Sequence, residues 1–401
     1  MDSLAEKFKR RLNNISLGFV RSMMYEINWE ARLIGIRGAR GVGKTTLLLQ
    51  YIKKNLAMDH SVLYVSLDNI WFSENRLSVL ADQFVKQGGK YLFLDEVHKY
   101  PDWSVELKNI YDDYPDLQIV FTGSSLLELL QARADLSRRA VVYSMQGLSF
   151  REYLNFEANH SFDSVTLESI LDDHTELTQE IVSECKPLEY FHRYLKTGYY
   201  PFYKEVPDLY YSRIEEVLNL IFEIELTQLR GVEMAYVPKL KQLLLVIAES
   251  APFIPNISRL SKRIGINRVT LLTYLRYLED AGVIHSLFKD AKGISRLQKP
   301  DKIFLENTNI SYAISYGDHQ VNRGNLRETF FVNQLSQSHR ITFHKKMDLL
   351  INDSILFEVG GKNKENTTEM TGENYPIYFA LDDIEYGHRN QIPLWLFGFL
   401  Y

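Results

Sequence analysis

The feature that most constrains this chain is a glycine-rich segment between an apolar stretch and a helical pattern. Residues 38–45 read Gly-Ala-Arg-Gly-Val-Gly-Lys-Thr and match G-x-x-x-x-G-K-[ST] at every fixed position. Residues 32–37 read as a short buried strand, and a helical pattern runs from Lys44 to about Leu56. A strand, a glycine-rich turn and a helix in this order predict a phosphate-binding loop (P-loop). The alternative is an ordinary glycine-rich turn, which the flanking strand and helix disfavour.

The residue types of the loop suit a bound phosphate chain. Gly38, Gly41 and Gly43 let the backbone curl so that successive N–H groups face one anion. Lys44 supplies a point charge for the β and γ oxygens, and Thr45 offers its hydroxyl to Mg²⁺. The candidate nucleotide-binding residues are consecutive: Gly38, Ala39, Arg40, Gly41, Val42, Gly43, Lys44, Thr45 and Thr46.

A second motif is an apolar strand that ends in two acids. Residues 91–96 read Tyr-Leu-Phe-Leu-Asp-Glu and are separated from the P-loop by one further strand pattern. We expect this strand to lie beside the P-loop strand, with Asp95 holding Mg²⁺ through water and Glu96 polarising the attacking water. The alternative is that the two acids only cap a helix. Together the two motifs predict ATP and Mg²⁺ as ligands and ATP hydrolysis as the reaction.

Polar and basic residues beyond the next strand complete the candidate catalytic set. The next predicted strand ends at Thr122, so Thr122 or Ser124 is expected to sense the γ-phosphate, whereas Ser124 or Ser125 could instead cap the following helix. Arg138 or Arg139 could reach the γ-phosphate of a neighbouring subunit, and the alternative is a surface salt bridge. The candidate catalytic residues are Lys44, Glu96, Thr122, Ser124 and Arg138.

Strand and helix patterns divide the chain into three predicted parts. Four strand candidates alternate with helical segments and predict a parallel α/β sheet covered on both faces: residues 32–37, 61–67, 91–94 and 117–122. Strand patterns return near the end: residues 302–305, 341–344, 348–351, 355–359 and 393–401. The expected domains are an ATPase core at 1–155, a helical lid with a winged-helix segment at 156–295, and a C-terminal α/β domain at 296–401.

Composition and charge narrow the class of protein. The 401 residues carry a formal net charge of −5, so the chain as a whole is not a basic nucleic-acid binder. No run of about 18 apolar residues occurs, and the first residues lack the apolar segment of a signal peptide. The single cysteine, Cys185, cannot form an intramolecular disulfide. We therefore expect a cytoplasmic protein that does not cross a membrane.

Several segments outside the P-loop form a recognisable series. They include residues 94–103 (Leu-Asp-Glu-Val-His-Lys-Tyr-Pro-Asp-Trp), 122–125, 135–139 (Asp-Leu-Ser-Arg-Arg), 147–153 (Gly-Leu-Ser-Phe-Arg-Glu-Tyr) and 392–398 (Ile-Pro-Leu-Trp-Leu-Phe-Gly). With the P-loop, this series resembles a prokaryotic family of AAA-type ATPases that carry a C-terminal domain of unknown function. The resemblance covers nearly the whole chain. It implies an AAA-like ATPase domain, a winged-helix segment and an end domain similar to restriction-endonuclease-like folds.

Residues 257–280 read as a helix, a glycine-containing turn and a second helix. The predicted core positions lie on one face of each helix: Leu260, Ile264, Val269, Leu272, Leu275 and Leu278. Five basic residues are candidates for contact with a phosphate backbone: Arg259, Lys262, Arg263, Arg268 and Arg276. DNA is therefore a candidate partner, and the alternative is that this unit serves as a lid or a surface for a protein partner.

Three acids near the end of the chain follow the pattern of metal-dependent nucleases. Glu328 lies in a helical pattern, Asp348 opens a strand pattern and Glu358 ends the next, and carboxylates arranged in this way can share one Mg²⁺. The lysine expected two residues after Glu358 is replaced by Gly360, and Lys362 lies two residues further along the same strand face. This departure disfavours cleavage and favours a decayed or binding-only version.

Three functions fit the sequence. The first is hydrolysis of Mg·ATP that rearranges the lid and the C-terminal domain. The second is a DNA-binding or nuclease-like protein that is gated by nucleotide. The third is a slow nucleotide switch that signals to a protein partner or acts through assembly as a homo-oligomer.

Overall fold

The structure is a computed structural model that describes residues 2–57, 59–124, 136, 138–249, 253–289, 299–315, 321–364 and 375–401. These residues divide into two units, Met1–Gly147 and Leu148–Tyr401. The three-part division of the sequence stays a prediction. Within the described residues, no helix is long and apolar enough to cross a membrane.

The first unit is built on a parallel sheet. Within its described residues, five strands pair in parallel in the order β2-β3-β4-β1-β5. The strands are β1 (Leu33–Arg37), β2 (Val62–Ser66), β3 (Tyr91–Asp95), β4 (Gln118–Gly123) and β5 (Val141–Ser144). The first four are almost entirely buried, as is typical of a parallel sheet covered on both faces, and the predicted α/β class is confirmed. Strand β5 escaped prediction because it is short and largely exposed.

The strand order corrects one expectation. Strand β3 pairs with β2 and β4, so β4 and not β3 lies beside the P-loop strand β1. In this register Ile36 is the partner of Thr122, which brings the end of β4 between the P-loop and the acids of β3. Consecutive strands of parallel sheets are joined by crossovers, so chain order alone does not determine which strands are neighbours.

Helices of the first unit begin and end where the sequence pattern changes. They are α1 (Asp2–Asn13), α2 (Met23–Glu26), α3 (Lys44–Asn55), α4 (Leu77–Lys86) and α5 (Trp103–Asp113). Helix α1 buries Leu4, Phe8 and Leu12, four residues apart, against β2 and α3. Helix α3 begins directly after the P-loop, with Gly43 as its N-cap.

The second unit contains mostly helices in its first half. The described helices are α6 (Phe150–Ala158), α7 (Leu167–Glu184), α8 (Pro187–Thr197), α9 (Tyr210–Leu220), α10 (Leu226–Arg230), α11 (Val237–Glu249), α12 (Ile257–Ile264), α13 (Arg268–Asp280), α14 (Thr308–Ile314) and α15 (Arg323–Leu335). Ser149 and Glu152 form a capping box at the start of α6, which satisfies backbone N–H groups that the helix itself leaves free.

The second unit also contains two sheets among its described residues. Strands β6 (Ile284–Leu287) and β7 (Lys302–Leu305) are antiparallel and follow the helix pair α12–α13. The larger sheet has the order β12-β11-β10-β9-β8 and is parallel across β10, β11 and β12 only. Its strands are β8 (Ile341–Phe343), β9 (Leu349–Ile351), β10 (Ile355–Gly361), β11 (Ile377–Asp382) and β12 (Gln391–Pro393).

Two expectations for the second unit were wrong in detail. The strand predicted at 393–401 is a 3₁₀ helix over Leu394–Phe399 that follows β12, because a short apolar run buried on all sides has no periodicity that separates strand from helix. Val269 does not lie in the core. It is 75% exposed in the first turn of α13, and the buried stripe runs through Leu271, Leu275 and Leu278 instead.

Candidate functional site

The P-loop connects β1 to α3 and depends on its glycines. Gly41 has a φ of 85° and Gly43 a φ of 101°, in the left-handed region where glycine is favoured. A Cβ added to Gly38 would lie 2.3 Å from the backbone oxygen of Met145, just after β5. Each of the three glycines singled out in the sequence therefore answers a separate backbone requirement.

Cationic donors converge on this loop. Lys44 is 4% exposed, and its Nζ donates to the carbonyl oxygens of Gly38 (2.8 Å) and Ala39 (2.9 Å). Burial lowers the pKa of Lys44 to about 8, while the nearby Glu96 and Asp95 oppose that shift. The Nη2 atom of Arg40 is buried and finds no hydrogen-bond partner among the described residues. A phosphate group fits this place, because an anion would satisfy donors that the loop itself leaves underused.

Asp95 is the last residue of β3, and its carboxylate accepts hydrogen bonds from three hydroxyl groups. Its Oδ2 accepts from Thr45 Oγ1 and from Tyr64 OH, both at 2.7 Å, and its Oδ1 accepts from Thr122 Oγ1. Asp95 is 2% exposed, so these donors satisfy a buried carboxylate. The predicted Mg²⁺ residues Thr45 and Asp95 are therefore direct neighbours, and their oxygen atoms are the ligand type that Mg²⁺ prefers.

Glu96 leaves the strand in an unusual conformation. Its φ is 54°, in the left-handed region that costs energy for a residue other than glycine. Ser124 Oγ donates to Glu96 Oε1 at 2.9 Å, and His98 Nε2 lies 3.4 Å from Oε2. The side chain that is expected to polarise water is thus held by a hydrogen bond from Ser124, with the ring of His98 nearby.

His98 was not assigned to the site from the sequence. Its Nδ1 accepts from the backbone N–H of Ser124 at 3.4 Å, so the proton of the neutral ring lies on Nε2, which faces Glu96. Burial lowers the pKa of His98 to about 3, and the charges of Lys99 and Arg40 add to that effect. His98 is therefore neutral at ordinary pH, and its buried Nε2 lies close to Glu96 without forming a hydrogen bond to any described residue.

Arg21 is another site residue that the sequence did not reveal. It is 7% exposed and donates to the carbonyl oxygens of Val42 (2.7 Å), Gln146 (2.9 Å) and Gly147 (2.8 Å). It therefore ties the P-loop to the segment after β5. No local pattern surrounds Arg21 in the sequence, so only the tertiary contacts identify it.

The remaining candidates near the P-loop have different outcomes. Thr122 donates a hydrogen bond to Asp95 and Ser124 donates one to Glu96, so each contacts one of the two predicted acids directly. Ser125 lies outside the described residues. Arg139 forms a two-point salt bridge with Asp112, at 2.8 and 2.9 Å, whereas Arg138 is exposed. A role for Arg138 in a neighbouring subunit stays a prediction.

In the second unit, two lysines connect the three nuclease-like acids. Lys302 of β7 is 2% exposed and contacts Glu328 of α15 and Asp348, the latter at 3.4 Å. Lys364 contacts Glu358 at 2.7 Å and Asp348 at 3.6 Å. Burial, reinforced by Asp348, raises the pKa of Glu328 to about 7, although Lys302 opposes this shift. The cluster is therefore neutralised largely by its own lysines.

The lysine that serves Glu358 is not the one that the sequence suggested. Lys362 is exposed, and Lys364 folds back over the strand instead. A Cβ added to Gly360 would lie 2.3 Å from Lys364 Cδ, so the glycine leaves the space through which this side chain passes. The glycine that counted against the nuclease pattern is thus the residue that admits a lysine from further along the chain.

A separate group combines a histidine with two acids. Ligand atoms of His192, Asp382 and Asp383 lie within 4.8 Å of one another. Arg327 already donates to Asp382 at 2.7 Å and lies 3.5 Å from Asp383, so a guanidinium supplies the positive charge there. We therefore interpret these residues as part of an ion-pair cluster, in which Arg327 of α15 binds the two acids at the end of β11.

Family models match two regions of the chain. Residues 30–154 match AAA_14, described as an AAA domain, and residues 188–318 match a domain of unknown function, DUF8612. The strand order, the P-loop and the acids that end β3 lie within the first match. The fold of the first unit is therefore that of an AAA-type P-loop NTPase.

Individual proteins are also similar to this chain. The uncharacterized protein MJ1637 of Methanocaldococcus jannaschii is 28% identical over 293 residues, 70% of this chain. The match spans 61% of that relative's length, so the chain covers about three-fifths of it.

Two solved structures are similar at 13% and 16% identity. The first is the Walker-type ATPase PABY2304 of Pyrococcus abyssi, with a TM-score of 0.41 over 73% of this chain and 94% of that one. The second is the Aeropyrum pernix ORC1 protein in complex with DNA, with a TM-score of 0.30 over 77% and 91%. Both TM-scores lie below 0.5, and the fold is therefore assigned from this chain's own strand order and P-loop.

Proposed function

We propose that this chain binds ATP with Mg²⁺ at the P-loop and hydrolyses it. The observation that supports this most directly is the hydrogen bond from Thr45 to Asp95, with Glu96 held beside it by Ser124. A metal-binding pair and a water-polarising acid then lie next to a phosphate-binding loop, which is the set of groups that phosphoryl transfer to water requires.

Each residue has a task in the proposed reaction. Lys44 leaves the carbonyl oxygens of its own loop and pairs with the β and γ oxygens of ATP. Thr45 and Asp95 would hold Mg²⁺, which when bound neutralises charge on the phosphates. Glu96 orients the attacking water and accepts its proton, while Ser124 keeps the carboxylate in place.

The proposal is tested by phosphate release with Mg²⁺ and ATP. We expect Lys44→Ala to lower turnover by about 10²–10³-fold, because it removes the preorganised cation that faces the developing phosphate charge. Lys53→Ala, an exposed lysine of the same helix, is the control and should keep wild-type turnover. Failure of the wild-type protein to bind ATP would overturn the proposal.

The affinity for ATP is expected to depend on pH through Lys44. With a pKa of about 8, Lys44 carries its proton below pH 8 and loses it above. ATP requires the charged form, so its affinity should be constant below pH 8 and should weaken about tenfold for each pH unit above. Titration of a fluorescent ATP analogue from pH 7 to pH 9.5 measures this. Lys44→Arg stays charged and should remove the dependence, whereas a pH-independent wild type would contradict the prediction.

The proposed use of the energy is movement of the rest of the chain. In this proposal, hydrolysis moves the helical part, residues 156–295, and the C-terminal part, residues 296–401, changes position in response. The division into these parts rests on sequence patterns. Arg138 would act on the nucleotide of an adjacent copy if the chain assembles as a homo-oligomer, since it is exposed, whereas Arg139 is paired with Asp112.

DNA binding is the second candidate function, and one observation favours it. Helices α12 and α13 are joined through Gly265, which has a φ of 71°, and are followed by the antiparallel pair β6–β7, the arrangement expected of a winged helix. The five basic candidates are all exposed: Arg259, Lys262, Arg263, Arg268 and Arg276. Binding of duplex DNA that weakens steeply with salt would support this function, and salt-independent or undetectable binding would count against it.

A further inference from the structure

Helix α1 reaches the metal-binding acid of the P-loop site through one tyrosine. Tyr64 of β2 is 2% exposed, and its hydroxyl donates to Asp95 Oδ2 at 2.7 Å. Arg11 of α1 donates to the same hydroxyl oxygen through Nη1 at 2.8 Å. A chain of two hydrogen bonds therefore joins the N-terminal helix to Asp95.

Arg11 fixes the direction of the tyrosine proton. A phenol has one proton to donate and lone pairs with which to accept. Because the guanidinium of Arg11 never accepts, its hydrogen bond occupies a lone pair of Tyr64, and the phenol proton faces Asp95. Burial and the charge of Asp95 raise the pKa of Tyr64, so the hydroxyl keeps its proton.

Tyr64 differs from the other donors to Asp95. Thr45 is itself a candidate Mg²⁺ ligand, and its hydroxyl must share its oxygen with the metal. Tyr64 donates to the same carboxylate from β2, at one end of the described sheet, and is not itself a candidate metal ligand, so its hydroxyl stays available with and without Mg²⁺. We infer that Tyr64 and Arg11 position Asp95 for Mg²⁺, and that α1 thereby sets how tightly Mg²⁺ binds together with ATP. This inference rests on the proposed nucleotide site.

The packing of α1 makes the link sensitive to that helix. Phe8 lies with its ring 6.0 Å from that of Tyr64, and Leu4 belongs to the core beside β2. A displacement of α1 would remove both the ring contact and the guanidinium from Tyr64. Asp95 would then keep its donors from α3 and β4 but lose its fixed orientation.

The test measures Mg²⁺ dependence rather than activity alone. Tyr64→Phe removes only the hydroxyl and should raise the Mg²⁺ concentration that half-saturates binding of a slowly hydrolysed ATP analogue by about 10-fold or more, the usual cost of losing a partner of a metal ligand. Analogue binding without Mg²⁺ should be unchanged. Tyr91→Phe, at the opposite end of β3, is the control and should match the wild type.

A substitution of Arg11 gives a second, independent test, because this residue is exposed and its replacement should not disturb folding. Arg11→Gln should shift the Mg²⁺ dependence in the same direction by a smaller factor, while its exposed neighbour Arg10→Gln should not. The double variant with Tyr64→Phe should be no worse than Tyr64→Phe alone, because Arg11 acts through the tyrosine. Wild-type Mg²⁺ dependence in Tyr64→Phe, or effects that multiply, would overturn the inference. If the wild type binds Mg²⁺ and the analogue but never releases phosphate, hydrolysis fails as a function while this test still stands.

Discussion

Glu96→Gln is expected to bind ATP with near wild-type affinity and to release phosphate about 10²–10⁴-fold more slowly, the range over which a general base contributes. Gln keeps the shape of the side chain and can still accept from Ser124, but it cannot take a proton from water. The P-loop donors do not involve this carboxylate, so binding should survive.

Single-turnover phosphate release and analogue titration separate the two effects. Glu74→Gln, an exposed acid of the same unit, is the matched control and should behave as the wild type. Turnover of Glu96→Gln within a few-fold of the wild type would show that another group activates the water, and the assignment of Glu96 would be wrong.

Lys302→Met is expected to lower the free energy of unfolding of the second unit by about 3–5 kcal/mol, the usual cost of breaking a buried ion pair by removing one partner. Lys302 is 2% exposed and contacts both Glu328 and Asp348. Methionine fills a similar volume but leaves Glu328, which is also buried, without its cation.

Hydrogen exchange of peptides from α15 and β10 would measure this loss where it occurs. Lys362→Met is the control, because that lysine is exposed and should change stability by less than about 0.5 kcal/mol. The double variant Lys302→Met with Glu328→Gln should recover part of the loss, since it removes the uncompensated charge. Unchanged exchange in Lys302→Met would mean that the cluster does not depend on this lysine.

The lysine network also bears on the nuclease-like pattern. The three acids do come together, as the spacing of Glu328, Asp348 and Glu358 suggested, but ammonium groups already stand between them. A divalent cation shared by Asp348 and Glu358 would have to compete with Lys364. Mg²⁺ titration of the second unit's stability therefore distinguishes a metal site from an internal charge network.

Local sequence motifs were sufficient to predict those site residues that are neighbours in the chain. The three glycines of the P-loop and Lys44 lie within eight consecutive residues, 38–45, and their backbone geometry follows from residue type. Asp95 ends, and Glu96 directly follows, a strand whose apolar run is visible without any structure. These residues could be predicted because strand, turn and helix are set by short-range sequence preferences.

Tertiary structure decided which side chains meet those residues. Because β4 lies beside β1, Thr122 donates a hydrogen bond to Asp95. Tyr64, on the neighbouring strand β2, donates to the same carboxylate. Arg21 and Lys364 reach their partners across turns that no local pattern specifies. The sequence by itself determined the P-loop and the two acids. Only the folded chain determined their partners, because the strand order and the paths of long side chains depend on packing between distant segments.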